Sequence, residues 1–319
     1  MTRRDSLSGA RRLIGIALCA LALPAAGLAH ACALHRQQVT GGVYALIGVA
    51  QEAAPANCGN VINTGFIIGT GGVIVIDTGA NRAHGERILA AIRTLTREPV
   101  AAVFDTQARP ENVLGNSVFA TLGAPIFACA RTVATMRSEC RNCSRNLRSV
   151  LGAKIMAGTR IVYPTRTLRG TTEVQIAGRR LRLICHRGGP AAGGLALLDR
   201  NSGVLFGGGL VAVDRIPALG QADTAAWIAA LEALRSERIT RIVPGVGPVS
   251  APARIAGLIG YLKGLRTIVA QRYRAGQDVL ETLHDADLPA WRDWALYNSV
   301  HPLNIQHVYF EIEREDLEK

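Results

Sequence analysis

Several side chains that can do chemistry follow an apolar run in the stretch FDTQARPENVLGN. The carboxylate of Glu111 can act as a general base, and the guanidinium of Arg109 can stabilise an oxyanion on a small anionic substrate. Oxygen atoms of Gln107, Glu111 and Asn112, with the carboxylate of Asp77, also suit a hard cation such as Ca²⁺ or Mg²⁺. The positive charge of Arg109 repels such a cation, so a metal is the less favoured interpretation.

A second polar group precedes the glycine-rich loop GGPAAGG, where His186 and Arg187 follow an apolar strand pattern. Together with Arg109 they could line an anion-binding cleft, in which Arg109 and Arg187 would anchor the ligand. The alternative is that His186 simply ends a strand at the surface.

Cys140 and Cys143 lie three positions apart in a helical pattern. A redox pair of the thioredoxin type needs a strand that leads into the start of a helix, so we predict a structural disulfide between them or two separate bridges. Packing or surface positions are expected for three histidines, and core positions for two tryptophans: His84, His301, His307, Trp291 and Trp294. The sequence has no Gly-x-Ser-x-Gly elbow and no phosphate-binding Gly-Lys-Ser loop, the usual signatures of serine hydrolases and nucleotide-binding proteins.

Short apolar runs separated by turn residues predict the elements that position these groups. GFIIGTGGVIVIDTG predicts two strands with a glycine-rich turn, ERILAAIRTL a helix, and PVAAVFDT a strand buried on both faces. After a short helix NSVFATLG and a strand PIFACA, the chain is predicted to be helical from about residue 131 to residue 158. This alternation of strands and helices is typical of an α/β protein.

Two hairpins are predicted next, EVQIAGRRLRLIC around Ala177 and Gly178, and GLALLDRNSGVLFGGGL around an Asn-Ser-Gly turn. Asp223 is expected to cap the helix AAWIAALEALRS. RIVPGVGPVS predicts a further strand and loop, and a long helix is expected to stop at Gly276. The remainder predicts a helical C-terminal appendage.

The order of the segments IDTG, VFDT, VLGN, VLFGGGLV and IVPGVGPVS resembles the metallo-β-lactamase superfamily over residues 42–265. MAGTR, DRIPALG, WRDWALYNSVHPLN and VYFEIE are similar to its exported branch, the quinoprotein relay system zinc metallohydrolases. The resemblance implies an α/β fold, an αββα sandwich of two mixed sheets packed face to face, with helices outside. It places a site at one edge of the sandwich where loops converge, and leaves residues 266–319 as a C-terminal helical segment.

The resemblance also implies where zinc ligands should stand. In the superfamily, a loop of the form H-x-H-x-D-H supplies imidazole and carboxylate ligands, and in this chain those positions are Gln107, Arg109, Glu111 and Asn112. Arginine has no lone pair to offer a metal, so the loop lacks the ligands of the family. Asp77, which orients a ligand histidine in the family, is expected here to satisfy backbone amides of its own turn.

The remaining ligand positions of the superfamily are replaced as well, and they fall on Pro190, Gly209 and Val246. These residues supply no side-chain donor atom. We therefore expect neither bound zinc nor the metal-activated hydroxide that zinc would generate.

The N-terminus predicts export. Four arginines precede the apolar run LIGIALCALALPAAGL, and Ala29-His30-Ala31 fits a cleavage site, so residues 1–31 are predicted to be a signal peptide. Arg3-Arg4 hints at the twin-arginine route, which the sequence does not separate from the general one. We prefer a soluble periplasmic or secreted protein to lipid attachment at Cys32, and expect no membrane span after cleavage. Six cysteines follow residue 31, an even number that favours disulfides of undetermined pairing.

These features predict an exported protein that is a pseudoenzyme of its family. We expect it to be a binding or accessory protein in a quinoprotein-linked oxidation system, with a periplasmic quinoprotein dehydrogenase system or a small anionic ligand as its partner. The chain is basic, with a formal net charge of +12, but its arginines are scattered and no aromatic-interleaved basic motif occurs, so nucleic acid is not expected. The alternative is an active hydrolase with a rebuilt site, in which Glu111 and Arg109 act on a small anionic ester or lactam.

Overall fold

The computed structural model describes residues 32–191 and 193–318, so the predicted signal peptide lies outside the described residues. A seven-stranded sheet is formed by the first strands in chain order. Its strands pair antiparallel up to β4 and parallel from β4 to β7. The strands are β1 His35–Thr40, β2 Val43–Ile47, β3 Thr64–Gly69, β4 Gly72–Ile76, β5 Val100–Phe104, β6 Ile126–Cys129 and β7 Arg166–Leu168.

A second, five-stranded sheet has the order β12-β11-β10-β9-β8, with only β11 and β12 parallel. Both predicted hairpins, β8–β9 and β10–β11, are confirmed. Ala177 and Gly178 have φ values of 48° and 70°, as a tight two-residue turn between twisted strands requires. The strands are β8 Thr171–Ile176, β9 Arg179–His186, β10 Gly194–Asp199, β11 Val204–Ala212 and β12 Arg241–Val246.

Helices cross over between the parallel strands and form the C-terminal region. Asp223 accepts a hydrogen bond from the amide of Ala226, which confirms the predicted cap, and the long helix ends just before Gly276, whose φ is 81°. The helices are α1 Arg82–Arg93, α2 Pro110–Val113, α3 Asn116–Ala120, α4 Ala130–Leu151, α5 Thr224–Ala233, α6 Ile255–Arg274, α7 Val279–Asp285 and α8 Tyr297–Leu317.

Three apolar layers hold these elements together. Between the sheets, Phe104 of β5 packs in one cluster with Leu183 and Phe206 of the other sheet. The outer face of the first sheet buries Ile88 and Ile92 of α1, and helices α5, α6 and α8 cover the outer face of the second sheet. Because successive side chains of a strand point to opposite faces, each sheet has one apolar face toward the other sheet and one toward the helices. The predicted αββα sandwich is confirmed.

The predicted domain division at residue 265 falls inside α6. The segment after it packs on this helix: Trp294 stacks on Tyr261 at a ring-centroid distance of 6.4 Å, and the hydroxyl of Tyr261 lies 3.0 Å from Nδ1 of His301. The residues WRDWALYNSVHPLN thus build a contact with α6. Because α6 shares its apolar face with both segments, residues 266–318 continue the same core.

The described residues contain two disulfides, Cys32–Cys58 and Cys129–Cys185, and the second joins β6 of one sheet to β9 of the other. The predicted bridging of Cys140 and Cys143 is wrong, because both are free thiols. Residues three apart on a helix have Cβ atoms about 5–6 Å apart, which is longer than the roughly 3.8 Å of a disulfide. In the described chain, no helix is long and apolar enough to cross a membrane.

Candidate functional site

The loop after β5 is held in place by Asp77, which directly follows β4. Its carboxylate accepts hydrogen bonds from the amide and hydroxyl of Thr106, at 2.8 and 2.6 Å, and from the side-chain amide of Asn112 at 2.8 Å. We expected Asp77 to satisfy its own turn, and that expectation is wrong. Because parallel strands β4 and β5 end side by side, the nearest donors belong to the neighbouring loop.

Two buried acids lie beneath this loop. Burial raises the pKa of Asp77 to about 7, against the opposing effect of its hydrogen bonds. Burial also raises the pKa of Asp105, and the nearby charge of Asp77 adds to that effect. One oxygen of Asp105 accepts from Asn116 at 2.8 Å, while the other has no hydrogen-bond partner. Asp105 is therefore most stable in the folded protein when it carries a proton.

A cavity of about 360 Å³ lies above the loop, at the edge of the sandwich where β11 and β12 end. Six of the seven positions that the sequence singled out line it: Gln107, Arg109, Glu111, Pro190, Gly209 and Val246. The seventh, Asn112, is buried and accepts a hydrogen bond from Nε2 of Gln107 at 3.3 Å. The structure thus brings the predicted set to one place, with Asn112 supporting it from behind.

Gln107 and Gly209 fit together at the base of this cavity. A Cβ atom on Gly209 would lie 2.1 Å from Oε1 of Gln107 and 2.5 Å from its Cδ. The Gln107 side chain is buried, and its Oε1 has no hydrogen-bond partner. The side chain of Gln107 therefore occupies the volume that a larger residue at position 209 would need.

Arg109 and Glu111 form the polar end of the cavity. Nε of Arg109 lies 3.7 Å from Oε2 of Glu111, with 37% and 13% of their side chains exposed. This is a long ion pair, and within the described structure the guanidinium makes no hydrogen bond. Oε2 of Glu111 also lacks a hydrogen-bond partner. The partly exposed guanidinium of Arg109 is therefore available to a ligand, whereas Oε2 of Glu111 is buried.

Arg215 also lines the cavity, and sequence reasoning missed it. Its guanidinium donates to the carbonyls of Val61 at 2.6 Å and Gln51 at 3.0 Å. Burial lowers its pKa, as does the charge of Arg109, while Glu111 and Glu52 act in the opposite direction. The segment DRIPALG, already notable in the sequence, contained the signal for this residue.

The predicted pairing of Arg109 with Arg187 is wrong. Arg187 is exposed and lines a separate surface depression with Arg131 and Glu311, because the chain turns away after β9. His186 ends β9, with Nδ1 3.0 Å from the carbonyl oxygen of Gly188, so Nδ1 carries the hydrogen. Burial lowers the pKa of His186 to about 4.

No family model matches the chain, and no curated protein matches it. Among solved structures, a metallo-β-lactamase from Pontibacter korlensis aligns with a TM-score of 0.59 and 20% identity, covering 72% of this chain and 99% of that one. A metallo-β-lactamase from Hirschia baltica aligns with a TM-score of 0.58 and 18% identity, covering 72% and 97%. The chain has the metallo-β-lactamase fold.

A longer protein is also similar in structure. The stereoselective inverting sec-alkylsulfatase Pisa1 from Pseudomonas sp. aligns with a TM-score of 0.69 and 16% identity. The match covers 87% of this chain and 50% of that one, so this chain spans half of the sulfatase. Identities this low show the fold alone.

In this metallo-β-lactamase fold, the cavity continues into a second lobe of about 400 Å³. The lobes share Arg109, Glu111 and Pro190, and the second lobe adds Glu139 and Cys143 from α4. Arg109 therefore stands where the two lobes meet. Its position gives one guanidinium access to a ligand in either lobe.

The groups around the cavity do not fit a zinc ion. Zinc in proteins is held by thiolate, imidazole and carboxylate ligands. Here the carboxylates of Glu52 and Glu111 stand beside the guanidiniums of Arg109 and Arg215. Across residues 32–191 and 193–318, no three His, Cys, Asp or Glu side chains come together as a metal-binding group.

Proposed function

We propose that the cavity binds a small molecule with an apolar body and one anionic group, without zinc and without metal-assisted hydrolysis. The observation that carries this proposal is the guanidinium of Arg109. It faces the cavity between the two lobes and makes no hydrogen bond within the described structure. A carboxylate or sulfate would supply the acceptors that this group lacks.

The apolar part of the proposed ligand is supported by the cavity wall. Apolar residues before β3, in β11, in the loop after it and at the start of α8 form one wall of the cavity: Val61, Ile62, Val211, Ala212, Ile216, Pro217, Ala218, Leu296, Val300 and Leu303. A volume of about 360 Å³ is in the range of small-molecule sites. Burying a hydrocarbon body against this wall contributes roughly 25 cal/mol per Å² of apolar area.

The polar end holds two guanidiniums and two carboxylates, so the preference for an anion rests on the guanidinium of Arg109, which makes no hydrogen bond in the described structure. Arg215 remains a positive charge near the cavity although its donors are occupied by backbone carbonyls. The negative charge of Glu111 opposes that of Arg215. The separation of 3.7 Å between Glu111 and Arg109 leaves the guanidinium of Arg109 free to rotate toward a ligand. One similar solved structure is described as a sec-alkylsulfatase, and an alkyl sulfate likewise joins an apolar chain to an anion.

The absence of zinc is proposed from the chemistry of the side chains. Arg109 offers no lone pair and repels a cation. Pro190, Gly209 and Val246 present no donor atom at the positions where the sequence resemblance implies ligands. Gln107 fills the space beside Gly209, so an aspartate at position 209 would not fit without displacing it.

Calorimetric titration tests the binding proposal. Octanoate, octan-1-ol and octylamine share an apolar body and differ in charge. We expect octanoate to bind and the Arg109→Met variant to bind it at least about tenfold more weakly, the equivalent of roughly 1.4 kcal/mol. Arg97→Met, on an exposed arginine away from the cavity, is the matched control and should bind as the unaltered protein does. Equal affinity for octanoate and octylamine would contradict the proposal.

A hydrolase with a rebuilt site is the second candidate, because Oε2 of Glu111 is buried without a hydrogen-bond partner. Glu111 would act as the base and Arg109 would stabilise an oxyanion. Turnover on ester and lactam panels that is lost in Glu111→Gln would support this candidate. Turnover retained in that variant would exclude Glu111 as the base, and no turnover in either protein is the outcome expected for a binding protein.

We further propose that the protein acts in the periplasm beside a quinoprotein dehydrogenase system, with sequence resemblance as the support. Disulfides persist in oxidising compartments, which agrees with export. Deleting the gene should lower quinoprotein dehydrogenase activity in intact cells. Unchanged activity in the deletion strain would contradict this placement.

A further inference from the structure

A strongly basic surface lies outside the cavity, on the outer side of α4 and along β7. Between residues 130 and 169 the chain carries nine basic residues and one acidic residue, whereas the whole chain has 36 and 24. Six exposed arginines form this surface, which we call the basic face: Arg137, Arg141, Arg145, Arg148, Arg166 and Arg169. Most of the net charge of the described protein is therefore concentrated at one place.

Helical spacing explains why the arginines of α4 share one side. Arg137, Arg141, Arg145 and Arg148 fall within an arc of roughly 80°, since successive helix residues are about 100° apart. The buried residues of α4, which are mostly apolar, lie on a different side of the helix. The single acid, Glu139, points to the cavity side, where both its oxygens lie 3.2 Å from Nε2 of Gln221.

The basic face is not neutralised within the molecule. The ion pairs of the described residues involve Lys263 and other arginines, and none includes a member of the basic face. Arg145 donates to Asn142 of its own helix, and Arg166 to the carbonyl of Thr165 at 3.2 Å. Like charges at helical spacing i,i+4 destabilise a helix by about 0.2–0.5 kcal/mol per pair. The basic face can therefore bind negatively charged groups of another molecule.

The shape of the surface indicates an extended ligand. β7 is the last strand of the seven-stranded sheet, so no strand of the described residues pairs with its outer edge. Beside it runs a groove of about 610 Å³ between α4 and β7, with Arg137 and Arg169 on its rim and Val133, Ala134 and Thr167 among its lining residues. Strand edges bind extended segments through backbone hydrogen bonds, and flanking side chains provide the selectivity.

We propose that the basic face binds an extended acidic segment of a protein partner, which adds to the edge of β7 and places its carboxylates against Arg137, Arg141 and Arg169. Guanidinium and carboxylate groups form paired, charge-assisted hydrogen bonds. An anionic membrane fits less well, because membrane-surface helices also insert an apolar face. The apolar face of α4 is buried, and Val150 is the one large apolar side chain exposed in residues 130–169.

Fluorescence anisotropy with a labelled short peptide that alternates Glu and Thr tests this proposal. At about 50 mM salt, where screening is weak, we expect the Glu-Thr peptide to bind and a Lys-Thr peptide not to bind. The charge-reversed variant Arg137→Glu with Arg141→Glu should bind at least about tenfold more weakly. Arg235→Glu with Arg238→Glu, an equal charge change at exposed arginines elsewhere, is the control and should weaken binding less than about twofold.

Two further probes separate this proposal from general electrostatic attraction. The Glu-Thr peptide with an N-methylated backbone has the same charge but lacks backbone donors, so we expect its binding to be at least about fivefold weaker. Equal binding would overturn the strand-addition proposal, as would equal losses in both charge-reversed variants. Tighter binding to phosphatidylglycerol-containing vesicles than to the peptide, abolished in the Arg137/Arg141 variant, would assign the basic face to a membrane and overturn the protein partner. Circular dichroism of both variants establishes that each is folded.

Discussion

The side-chain amide of Gln107 occupies the space beside Gly209, and a Cβ atom built on Gly209 would lie 2.1 Å from Oε1 of Gln107. One of these residues follows β5 and the other is part of β11, so the contact joins the two sheets at the base of the cavity. A residue with a side chain at position 209 requires Gln107 to move. The two positions are therefore coupled in size.

We expect Gly209→Ala to destabilise the protein by about 1–3 kcal/mol, because overpacking a buried site strains its neighbours. The double variant Gln107→Ala with Gly209→Ala should recover most of this loss, since the truncated side chain frees the volume. Urea unfolding of both single variants and the double variant measures the coupling. Free energies of unfolding that simply add would mean that the two side chains do not compete.

The buried acid Asp105 should make stability fall as pH rises. Its raised pKa means that the folded state holds a proton which the unfolded state releases at about pH 4. The contribution of protonated Asp105 to the free energy of unfolding is thus complete at low pH. It is lost as pH rises toward the folded-state pKa of Asp105, by at most about 1.4 kcal/mol per pH unit. Asp105→Asn should therefore lose less stability than the unaltered protein between pH 5 and pH 8.

The comparison with Asp105→Asn also removes opposing contributions. Burial lowers the pKa of His84 to about 3 and that of His186 to about 4. Through these histidines the protein loses stability as pH falls below the pKa of histidine in the unfolded chain. Both proteins share these histidines and Asp77, and the difference between their unfolding curves isolates Asp105. A difference that does not change with pH would contradict a protonated Asp105.

The two arginines of the cavity should respond differently to the same substitution. Arg109→Met should change the free energy of unfolding by less than about 0.5 kcal/mol, because its ion pair is long and partly exposed. Arg215→Met should destabilise by about 1–3 kcal/mol, because its guanidinium holds the carbonyls of Gln51 and Val61. Thermal unfolding of both variants distinguishes them, and equal losses would contradict these roles.

The disulfide between Cys129 and Cys185 links the two sheets across 56 residues of chain. Replacing both cysteines with alanine should destabilise the protein by about 4 kcal/mol, on the loop-entropy estimate for a closed loop of this length. Cys143→Ala, which removes a free and partly exposed thiol, should have little effect. Denaturant titrations under oxidising and reducing conditions test the pair, and reduction should destabilise the unaltered protein more than the double variant, which retains only the Cys32–Cys58 disulfide.

Local patterns predicted the central strands, both hairpins and the helix caps, because these elements bury regular apolar faces. They missed β1, His35–Thr40, whose residues are mostly exposed and which is a strand because it pairs with β2. β7 was missed as well, since three residues are too few for a pattern. Strand pairing at a sheet edge is a tertiary property, and local sequence carries little of it.

Only part of the site was predicted from the sequence. The family resemblance implied one site at an edge of the sandwich, and Gln107, Gly209 and Val246, which it singled out, line one cavity. The position of Arg187 was predicted wrongly, because the residues next to a loop in the sequence do not set the direction in which the loop leaves the strand. The contribution of Leu296 and Val300 was also missed, since the C-terminal helices return to the cavity only through their packing on α6.

Zinc should neither stabilise the protein nor co-purify with it. A ligand that binds only the folded state at a hundred times its dissociation constant adds about 2.7 kcal/mol of stability. Because Arg109 and Arg215 stand beside the carboxylates of the cavity, and no three potential ligands come together among the described residues, we expect added zinc or a chelator to leave the melting temperature unchanged. Elemental analysis of the purified protein should find far less than one zinc per chain. One or two tightly held zinc ions, lost together with stability on chelation, would mean that other ligands rearrange to hold the metal.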